Sequence, residues 1–391
     1  MQIFSQPPTD PAFVQNPYLV YDRIHGNCVF WQDYKMPAIF SYYEIDYLFK
    51  NKLLGREAIT SDEVNVPKRL QPFYDIEANS MLELEPPRHT HLRKMVLHAF
   101  TSRRIAALGL EIENLCHGLI DNFPNDPFDI LSTYATQVPV IVIARLLGVP
   151  ESMTSQLLRW SNDMVMMYQA RRTPELEDQA VISAIEFSSF MATYIEERRN
   201  KPADDLISHL IAAEEDGARL TREEVITTCI LLLNAGHEAT VHTLGNGIKA
   251  LIEHGSHPAW FTSASIAGTV EEVLRYDPPL HMFTRYVYDD VIIGDHTLSR
   301  GDQVALMIGA SGRDPNRWDA PNRFDPMRGV QKNHAFGAGI HFCLGAPLAR
   351  MEMQIALKAL FDRHPNLRIT AAPKYANVYH FHGLEALWVQ T

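Results

Sequence analysis

Three glycines surround a single cysteine in the sequence Ala335-Phe336-Gly337-Ala338-Gly339-Ile340-His341-Phe342-Cys343-Leu344-Gly345. Glycine has no Cβ, so such a loop lets a flat ligand approach its backbone closely. The residues from Leu344 to about Phe361 carry apolar side chains at helical spacing, which predicts an amphipathic helix with Pro347 in its first turn. Cys343 then lies at a helix N-terminus, where unpaired N–H groups favour a thiolate, which is a soft metal ligand. A buried structural thiol is the alternative for a lone cysteine.

The loop has the pattern Phe-Gly-x-Gly-x-His-x-Cys-x-Gly and continues as Ala346-Pro347-Leu348-Ala349-Arg350-Met351-Glu352. It resembles the haem-ligand loop of the cytochrome P450 family. The resemblance implies a mainly α fold with small β-sheets, in which a triangular, helix-rich domain has a long central helix over the haem. It also implies that Cys343 is the axial thiolate of haem b, iron protoporphyrin IX, that His341 faces a propionate and that Phe336 packs beside the sulfur. A dinucleotide-binding loop is excluded, because Phe342 stands where the third glycine is required and no apolar strand precedes it.

The composition predicts one large unit. The 391 residues include 46% hydrophobic residues, and no Gly/Ser-rich or Pro-rich linker divides them. We therefore expect a single domain over residues 1–391, with a β-rich part at about 1–80 and in the C-terminal strands, and a helical core at about 85–365. The stretch from Asn65 to Glu83 is irregular and predicts a loop.

The cysteines and the charge restrict the protein's surroundings. Cys28, Cys116, Cys229 and Cys343 form no CxxC pair, which argues against a disulfide framework or a zinc site and fits a reducing cytoplasm. No basic segment precedes an apolar run, and no stretch reaches a membrane-spanning length, so we expect no membrane association. The net charge of −12 disfavours nonspecific binding to nucleic acid.

Several arginine, histidine and lysine residues follow Glu85-Pro86-Pro87 in the sequence. Proline can open a helix but disrupts its interior, so a helix is predicted to begin near Pro87, with His89 and Arg93 four residues apart on one face. A solvated basic face would also explain these residues. By resemblance to the family, His89 and Arg93 bind the haem propionates.

A long helix is predicted to begin at the capping box Thr221-Arg222-Glu223-Glu224 and to run to Ile252, with Gly255 ending it. At ~1.5 Å per residue this helix is roughly 45 Å long. Its apolar middle contains Asn234-Ala235-Gly236-His237-Glu238-Ala239-Thr240, where a carboxylate requires either a partner or a function. An ion pair between the buried glutamate and an arginine is the structural alternative.

The middle of this helix resembles the family's oxygen-binding motif, in which an alcohol follows an acid. Glu238 takes the acid position, which implies a place in the proton path. Ala239 stands where the family usually has threonine, and Thr240 lies about 100° further round the helix and cannot simply replace it. Glu238 and Thr240 are the candidate catalytic residues.

Two further segments complete the resemblance. Glu272 and Arg275 share a helical face, and the family pairs such residues with an arginine in a segment like Pro321-Asn322-Arg323-Phe324. The resemblance implies a buried structural ion network of Glu272, Arg275 and Arg323 beneath the haem. It makes Arg285 the third propionate partner. Ala235 is expected against the haem, and the implied substrate pocket consists of Leu231, Ala235, Ala239, His281, Phe283 and Phe381. No histidine in these segments has a metal-ligand spacing to another, so no second metal site is predicted.

The family resemblance implies a soluble haem-thiolate monooxygenase of the bacterial type, which inserts one atom of O2 into a C–H or C=C bond of a mostly apolar small molecule. The sequence has no flavin or iron–sulfur motif, so electrons are expected from a ferredoxin or flavodoxin with its reductase. We expect a monomer. The alternatives are a haem-thiolate enzyme that uses peroxide and a non-catalytic haem-based ligand binder or sensor. Product formation with NAD(P)H, a ferredoxin and its reductase distinguishes the three.

Overall fold

The chain is mainly helical, and its strands are short. The computed structural model describes residues 1–24, 28–59, 66–169, 172–215, 218–379 and 381–391. Within these residues the helices are α1 (Pro11–Gln15), α2 (Tyr18–Tyr21), α3 (Tyr42–Lys50), α4 (Gln71–Glu77), α5 (Arg88–Ala99), α6 (Ser102–Ala107), α7 (Gly109–Ile120), α8 (Gln137–Leu147), α9 (Thr154–Val165), α10 (Pro174–Asn200), α11 (Leu206–Ala212), α12 (Arg222–Glu253), α13 (Ile266–Tyr276), α14 (Ile308–Ser311) and α15 (Ala346–Arg363). The strands are β1 (Gln2–Phe4), β2 (Cys28–Trp31), β3 (Met36–Ile39), β4 (Leu54–Gly55), β5 (Phe128–Asp129), β6 (Glu214–Glu215), β7 (Ala218–Arg219), β8 (Met282–Val287), β9 (Val291–Ile293), β10 (His296–Leu298), β11 (Gln303–Met307), β12 (Arg368–Ile369), β13 (Lys374–Tyr375), β14 (Leu384–Ala386) and β15 (Trp388–Gln390). The predicted fold class, mainly α with small sheets, is confirmed.

The chain divides into two compact units. The first unit consists of Met1–Ile59, Gly109–Thr136 and Ala239–Thr391, and the second consists of Thr60–Leu108 and Gln137–Glu238. Helix α12 therefore begins in the second unit and ends in the first. The expectation of one domain over residues 1–391 stays a prediction.

A six-stranded sheet forms part of the first unit, in the order β1-β2-β3-β11-β8-β4. Strand β1 runs parallel to β2 and β3 runs parallel to β11, whereas the other neighbours are antiparallel. Four of the strands come from the predicted β-rich N-terminal part, but β8 and β11 come from residues 282–307. The C-terminal strands belong to separate sheets, in which β15 pairs with β12 and β5, and β13 pairs with β14.

Strand β11 separates two apolar clusters because alternate side chains point to opposite faces of a sheet. Val304 and Leu306 pack into a cluster with Ile39 and Phe49. Their neighbours on the other face, Ala305 and Met307, pack into a cluster that contains Phe13, Tyr18, Tyr21, Trp31 and Tyr379. Both faces of the sheet are therefore covered in the first unit.

The second unit is helical over most of its described residues. Helices α9 and α10 pack through Trp160 and Phe187, whose rings stack with centroids 5.0 Å apart. Between Asn65 and Glu83 the prediction of a loop was wrong for Gln71–Glu77, which form α4. Phe73 and Ile76 are buried there, so packing overrides the weak local signal. Asn65 lies outside the described residues.

Helix α12 confirms the capping prediction. The Thr221 hydroxyl accepts from the Glu224 N–H at 3.2 Å, and the Glu224 carboxylate accepts from the Thr221 N–H at 2.9 Å. The helix extends over 32 residues and stops before Gly255, whose φ of 97° lies in the left-handed region. Neither α12 nor any other helix of the described residues combines the length and the apolar character that a membrane span requires.

Candidate active site

The cysteine loop leads directly into helix α15. Gly345 is the N-cap and Pro347 lies in the first turn, so the predicted helix is confirmed with its start two residues after Leu344. The N–H of Cys343 donates to the C=O of Phe336 at 3.0 Å, which closes the loop. Cys343 is thereby fixed beside the N-terminus of α15.

Two glycines give the loop its shape. Gly337 and Gly339 have φ values of 67° and 74°, a region that side chains disfavour. At Gly339 a Cβ would also lie 2.1 Å from the carbonyl oxygen of Phe49. The end of α3 therefore lies against the loop backbone, and sequence reasoning missed Phe49 because it precedes the loop by most of the chain.

Cys343 differs from the other cysteines in its surroundings. Cys28, Cys116 and Cys229 are buried, and burial raises the pKa of Cys28 to about 11 and that of Cys116 to about 12, and raises that of Cys229 further. These three remain neutral thiols at physiological pH. Cys343 is only partly buried, and the positive end of the α15 dipole favours its anionic form.

The ring of Phe336 is held from one side by Arg350. The guanidinium carbon of Arg350 lies 4.5 Å from the ring centroid, within the range of a cation–π contact. Arg350 also donates to the carboxylate of Glu271, which accepts a further bond of 2.9 Å from Asn333. The predicted neighbour of the sulfur is therefore fixed by a chain of polar contacts from α15 to α13.

A buried ion network lies at the C-terminal half of α13. Arg275 and Glu272 form two hydrogen bonds of 2.7 Å, and their side chains are 1% and 2% exposed. The predicted role of Arg323 was wrong, because its side chain is 65% exposed and pairs with Asp325. Only the backbone C=O of Arg323 contacts Arg275. The second arginine beside Glu272 is Arg328, at 3.4 Å and 9% exposed.

The predicted propionate partners lie on separate elements. In the first unit Arg285 is a buried residue of β8, where it donates to the Thr284 C=O at 2.7 Å and lies 5.1 Å over the ring of Phe49. His341 lies in the cysteine loop and is partly buried. Since Phe49 contacts both Arg285 and the loop, it links these parts of the first unit.

In the second unit, helix α5 carries the other two predicted propionate partners. The helix begins at Arg88 after Pro87, as predicted, and places His89 and Arg93 one turn apart. His89 is 2% exposed, so it does not belong to a solvated basic face, which was the alternative explanation for this segment.

The predicted oxygen-binding motif lies within an unbroken part of α12. The ring of His237 is buried, its Nδ1–H donates to the Leu233 C=O at 2.7 Å, and its Nε2 lies 3.4 Å from the Glu238 carboxylate. A histidine therefore neighbours the acid in place of the arginine of the alternative interpretation. The Glu238 side chain is 20% exposed.

The alcohols after Ala239 do not replace the missing threonine. Thr240 is buried on another side of the helix, since α12 shows no unwinding there. The hydroxyl of Thr243 donates to the Ala239 C=O at 2.7 Å. Neither hydroxyl therefore takes the position of the Ala239 side chain.

Three of the predicted pocket residues share one face of α12. Leu231, Ala235 and Ala239 are spaced four residues apart, and each is at least partly exposed, as are most of the residues between them. The ring of Phe283 on β8 lies 6.1 Å from that of Phe49. Phe381 is partly buried and pairs with Leu280.

His281 does not edge a pocket. Its ring is fully buried, with Nδ1 3.1 Å from the Tyr21 hydroxyl and Nε2 3.3 Å from the Tyr18 hydroxyl. We therefore remove it from the predicted pocket. It belongs to a polar cluster with Asp277 and His382, which sequence reasoning missed because about a hundred residues separate the two histidines.

Electrostatics keep the cluster at one negative charge. Burial lowers the pKa of His382 to about 3 and also lowers that of His281, so both rings are neutral near pH 7. Burial opposes ionisation of Asp277, but the polar contacts to its histidine and tyrosine neighbours hold its pKa below the usual range. The guanidinium carbon of Arg313, 3.5 Å over the ring of Tyr18, supplies the nearby positive charge.

Known proteins share both the sequence and this architecture. The Cytochrome P450 family model matches residues 43–259 and 266–365. The polyketide biosynthesis cytochrome P450 PksS of Bacillus subtilis is 39% identical over 344 residues, which cover 84% of each chain. The 6-deoxyerythronolide B hydroxylase of Saccharopolyspora erythraea is 35% identical over 82% of this chain and 78% of its own. The structure of P450BioI in complex with an acyl carrier protein ligated to hexadec-9Z-enoic acid has a TM-score of 0.90 at 30% identity and covers 98% of this chain and 100% of that one. The chain belongs to the cytochrome P450 family, and it is a monooxygenase.

Proposed function

We propose that this monooxygenase holds haem b through the thiolate of Cys343. The observation that carries the proposal is the contrast between Cys343, partly buried at a helix N-terminus, and three cysteines that burial keeps as thiols. The loop fits a flat macrocycle, since Gly337 and Gly339 present backbone without a Cβ. The buried guanidinium of Arg285 fits a carboxylate of the same group.

Each polar residue around this group has a separate proposed task. Arg285 and His341 in the first unit, and His89 and Arg93 in the second, bind the propionates by analogy with the family. Phe336, held under Arg350, keeps water from the Cys343 sulfur. Ala235 has a small side chain on the face of α12 that we assign to the haem and the substrate.

When bound, a haem-thiolate supplies the oxidising chemistry that inserts one atom of O2 into a C–H or C=C bond. The chain's own contribution is to move protons. Glu238 is partly exposed and its carboxylate lies 3.4 Å from Nε2 of the buried His237, so we assign the relay of protons from solvent to this pair. Ala239 offers no donor, and Thr240 is buried away from that position. We infer that a hydroxyl of the substrate orders the water that the family's threonine usually holds.

We propose a large, mostly apolar substrate that carries hydroxyl groups, of the polyketide type. The names of PksS and of 6-deoxyerythronolide B hydroxylase, each similar over most of the chain, support this class. The pocket residues we assign are Leu231, Ala235, Ala239, Phe283 and Phe381. A spectral screen that follows the iron spin state across macrolides, steroids, fatty acids, terpenes and aromatic acids tests the class.

The proposed electron donor is a ferredoxin or flavodoxin with its reductase, as the resemblance to bacterial members of the family implies. We further propose that the enzyme works as a monomer in the cytoplasm, where the four free cysteines stay reduced.

The test uses serine variants of individual cysteines. Cys343→Ser should remove the strongly red-shifted Soret band that the reduced protein shows with CO, because an alcohol does not replace the thiolate. Cys116→Ser is the matched control and should keep the band. A red-shifted band in Cys343→Ser would refute the assignment, and the pyridine haemochrome spectrum of the wild type identifies the haem as type b or as another type.

A further inference from the structure

Asp277 joins three chain segments in the interior of the first unit. It follows α13 as the C-cap residue and is buried. One carboxylate oxygen accepts from the Tyr18 hydroxyl at 2.8 Å, and the other accepts from the Tyr375 hydroxyl at 2.6 Å. The N-terminal segment, α13 and the C-terminal segment therefore meet at one carboxylate.

His382 is held at this carboxylate by both its ring and its backbone. The ring stacks on Tyr375 with centroids 3.9 Å apart, and Nε2 lies 3.4 Å from Asp277. The backbone N–H donates to the Pro279 C=O at 2.7 Å, and the backbone C=O accepts from the Asn246 side chain at 2.8 Å. Because these contacts come from different elements, His382 cannot shift without breaking several of them.

Phe381 precedes this fixed residue and lies at α12. It pairs with Leu280, and its ring lies 5.9 Å from that of His242. His242 follows Ala239 by three residues and therefore shares its side of the helix. On the other side of His382, a Cβ at Gly383 would lie 1.9 Å from the His242 ring. The turn is thus pressed against the face of α12 that contains Ala239.

Asp277, His281 and His382 also have the spacing of metal ligands. The hydrogen bonds argue for another role, since both oxygens of Asp277 already accept phenolic protons. The guanidinium of Arg313 over the Tyr18 ring balances the carboxylate charge. The cluster is therefore complete as a hydrogen-bonded anchor.

We propose that this anchor, Asp277 with His382, fixes the position of Phe381 and thereby determines the size of ligand that the pocket accepts. His382 is a positioning residue, because it acts on the ligand through Phe381. The proposal rests on the proposed function, which places Phe381 in the substrate pocket.

The test measures how the holoenzyme distinguishes nitrogen ligands of increasing size. The probes are imidazole, 4-phenylimidazole and clotrimazole, and the quantity is the ratio of their dissociation constants from Soret titrations. Phe381→Ala and His382→Gln should each change the ratio between clotrimazole and imidazole about tenfold, and the double variant should change it no further, because both act through one ring. His364→Gln, at a histidine stacked on Phe123 in the same unit, is the control and should leave the ratio unchanged.

Hydrogen exchange gives a second measurement that does not depend on ligand binding. His382→Gln should speed exchange in residues 381–384, whereas Phe381→Ala should leave the backbone N–H of His382, which donates to the Pro279 C=O, protected. If His382→Gln does not take up haem, Asn246→Ala removes the hydrogen bond to the backbone of His382 and replaces it in the titrations. Changes that multiply in the double variant, or an unchanged ratio in His382→Gln, would overturn the anchor. A wild type without the red-shifted CO band would instead overturn the proposed function.

Discussion

Replacing Arg328 should destabilise the protein far more than replacing Arg323, five residues earlier. The Arg328 side chain is 9% exposed and lies 3.4 Å from the 2% exposed carboxylate of Glu272. It also donates to three main-chain carbonyls at 2.6, 2.8 and 3.2 Å. Arg323, which the sequence pattern placed in this network, is 65% exposed.

The size of the difference follows from burial. Removing one partner of a buried ion pair costs about 3–5 kcal/mol, because the other charge is left in a poor solvent. Glu272 keeps its two hydrogen bonds to Arg275 in the variant. We therefore expect Arg328→Ala to lower the free energy of unfolding by ~3 kcal/mol, the lower end of this range. Because the ion pair of Arg323 with Asp325 is exposed, Arg323→Ala should lower the free energy of unfolding by less than ~1 kcal/mol.

Urea unfolding of the haem-loaded protein measures both variants, provided that the slope of the transition is unchanged. Arg328→Lys is the matched control for charge: it keeps the cation but loses the guanidinium fork, so its stability should lie between that of the alanine variant and that of the wild type. Equal losses for Arg323→Ala and Arg328→Ala, or a larger loss for Arg323→Ala, would refute the assignment of Arg328 to the buried network.

Three further outcomes test other parts of the structure. Gly339→Ala should abolish the red-shifted CO band, because its Cβ would lie 2.1 Å from the Phe49 carbonyl oxygen. In Gly337→Ala the nearest atom lies 3.9 Å from the new Cβ, so this variant should retain part of the band. Bands of equal height in the two variants would contradict this reasoning. Burial raises the pKa of Glu352 from 4.5 to about 8, so between these pH values the folded state binds a proton that the unfolded state has lost. The free energy of unfolding should therefore fall by up to about 1.4 kcal/mol for each pH unit of increase in this range. Urea unfolding of Glu352→Gln at several pH values should show a weaker pH dependence than the wild type, and an unchanged dependence would exclude Glu352 as its source. Ala239→Thr should raise the product formed per NAD(P)H consumed for deoxy substrates and change it little for hydroxylated ones, while equal coupling of both substrate types in the wild type would argue for a water held by the protein.

Local signals in the sequence predicted the elements that local chemistry determines. The capping box at Thr221 and the proline before Arg88 gave the starts of α12 and α5, because caps and prolines act within one helical turn. The glycines around Cys343 predicted the loop, and the apolar spacing after Leu344 predicted the helix that follows it. Where the local signal was weak, as in α4, the prediction was wrong.

The contacts that complete the site come from distant parts of the chain, and no local pattern predicts them. Phe49 contacts the cysteine loop and Arg285, although nothing around residue 49 marks such a role. The family pattern pointed to Arg323, whereas the path of the backbone turns the side chain of Arg328 inward instead. His281 was placed in the pocket, whereas tertiary packing joins it to His382.

The contact between Phe49 and Gly339 also bears on the order of assembly during synthesis. At Gly339 the loop backbone packs against the main-chain carbonyl oxygen of Phe49. Since every amino acid has this carbonyl, no substitution at Phe49 would make room for a side chain at Gly339. The two residues are separated by most of the polypeptide, and such a contact closes late because the entropy of a long loop must be lost first. A ribosome-bound chain that has not yet emerged beyond Gly339 therefore has the N-terminal half of this contact and lacks Cys343, so the proposed haem ligand becomes available only after residue 343 has been synthesised.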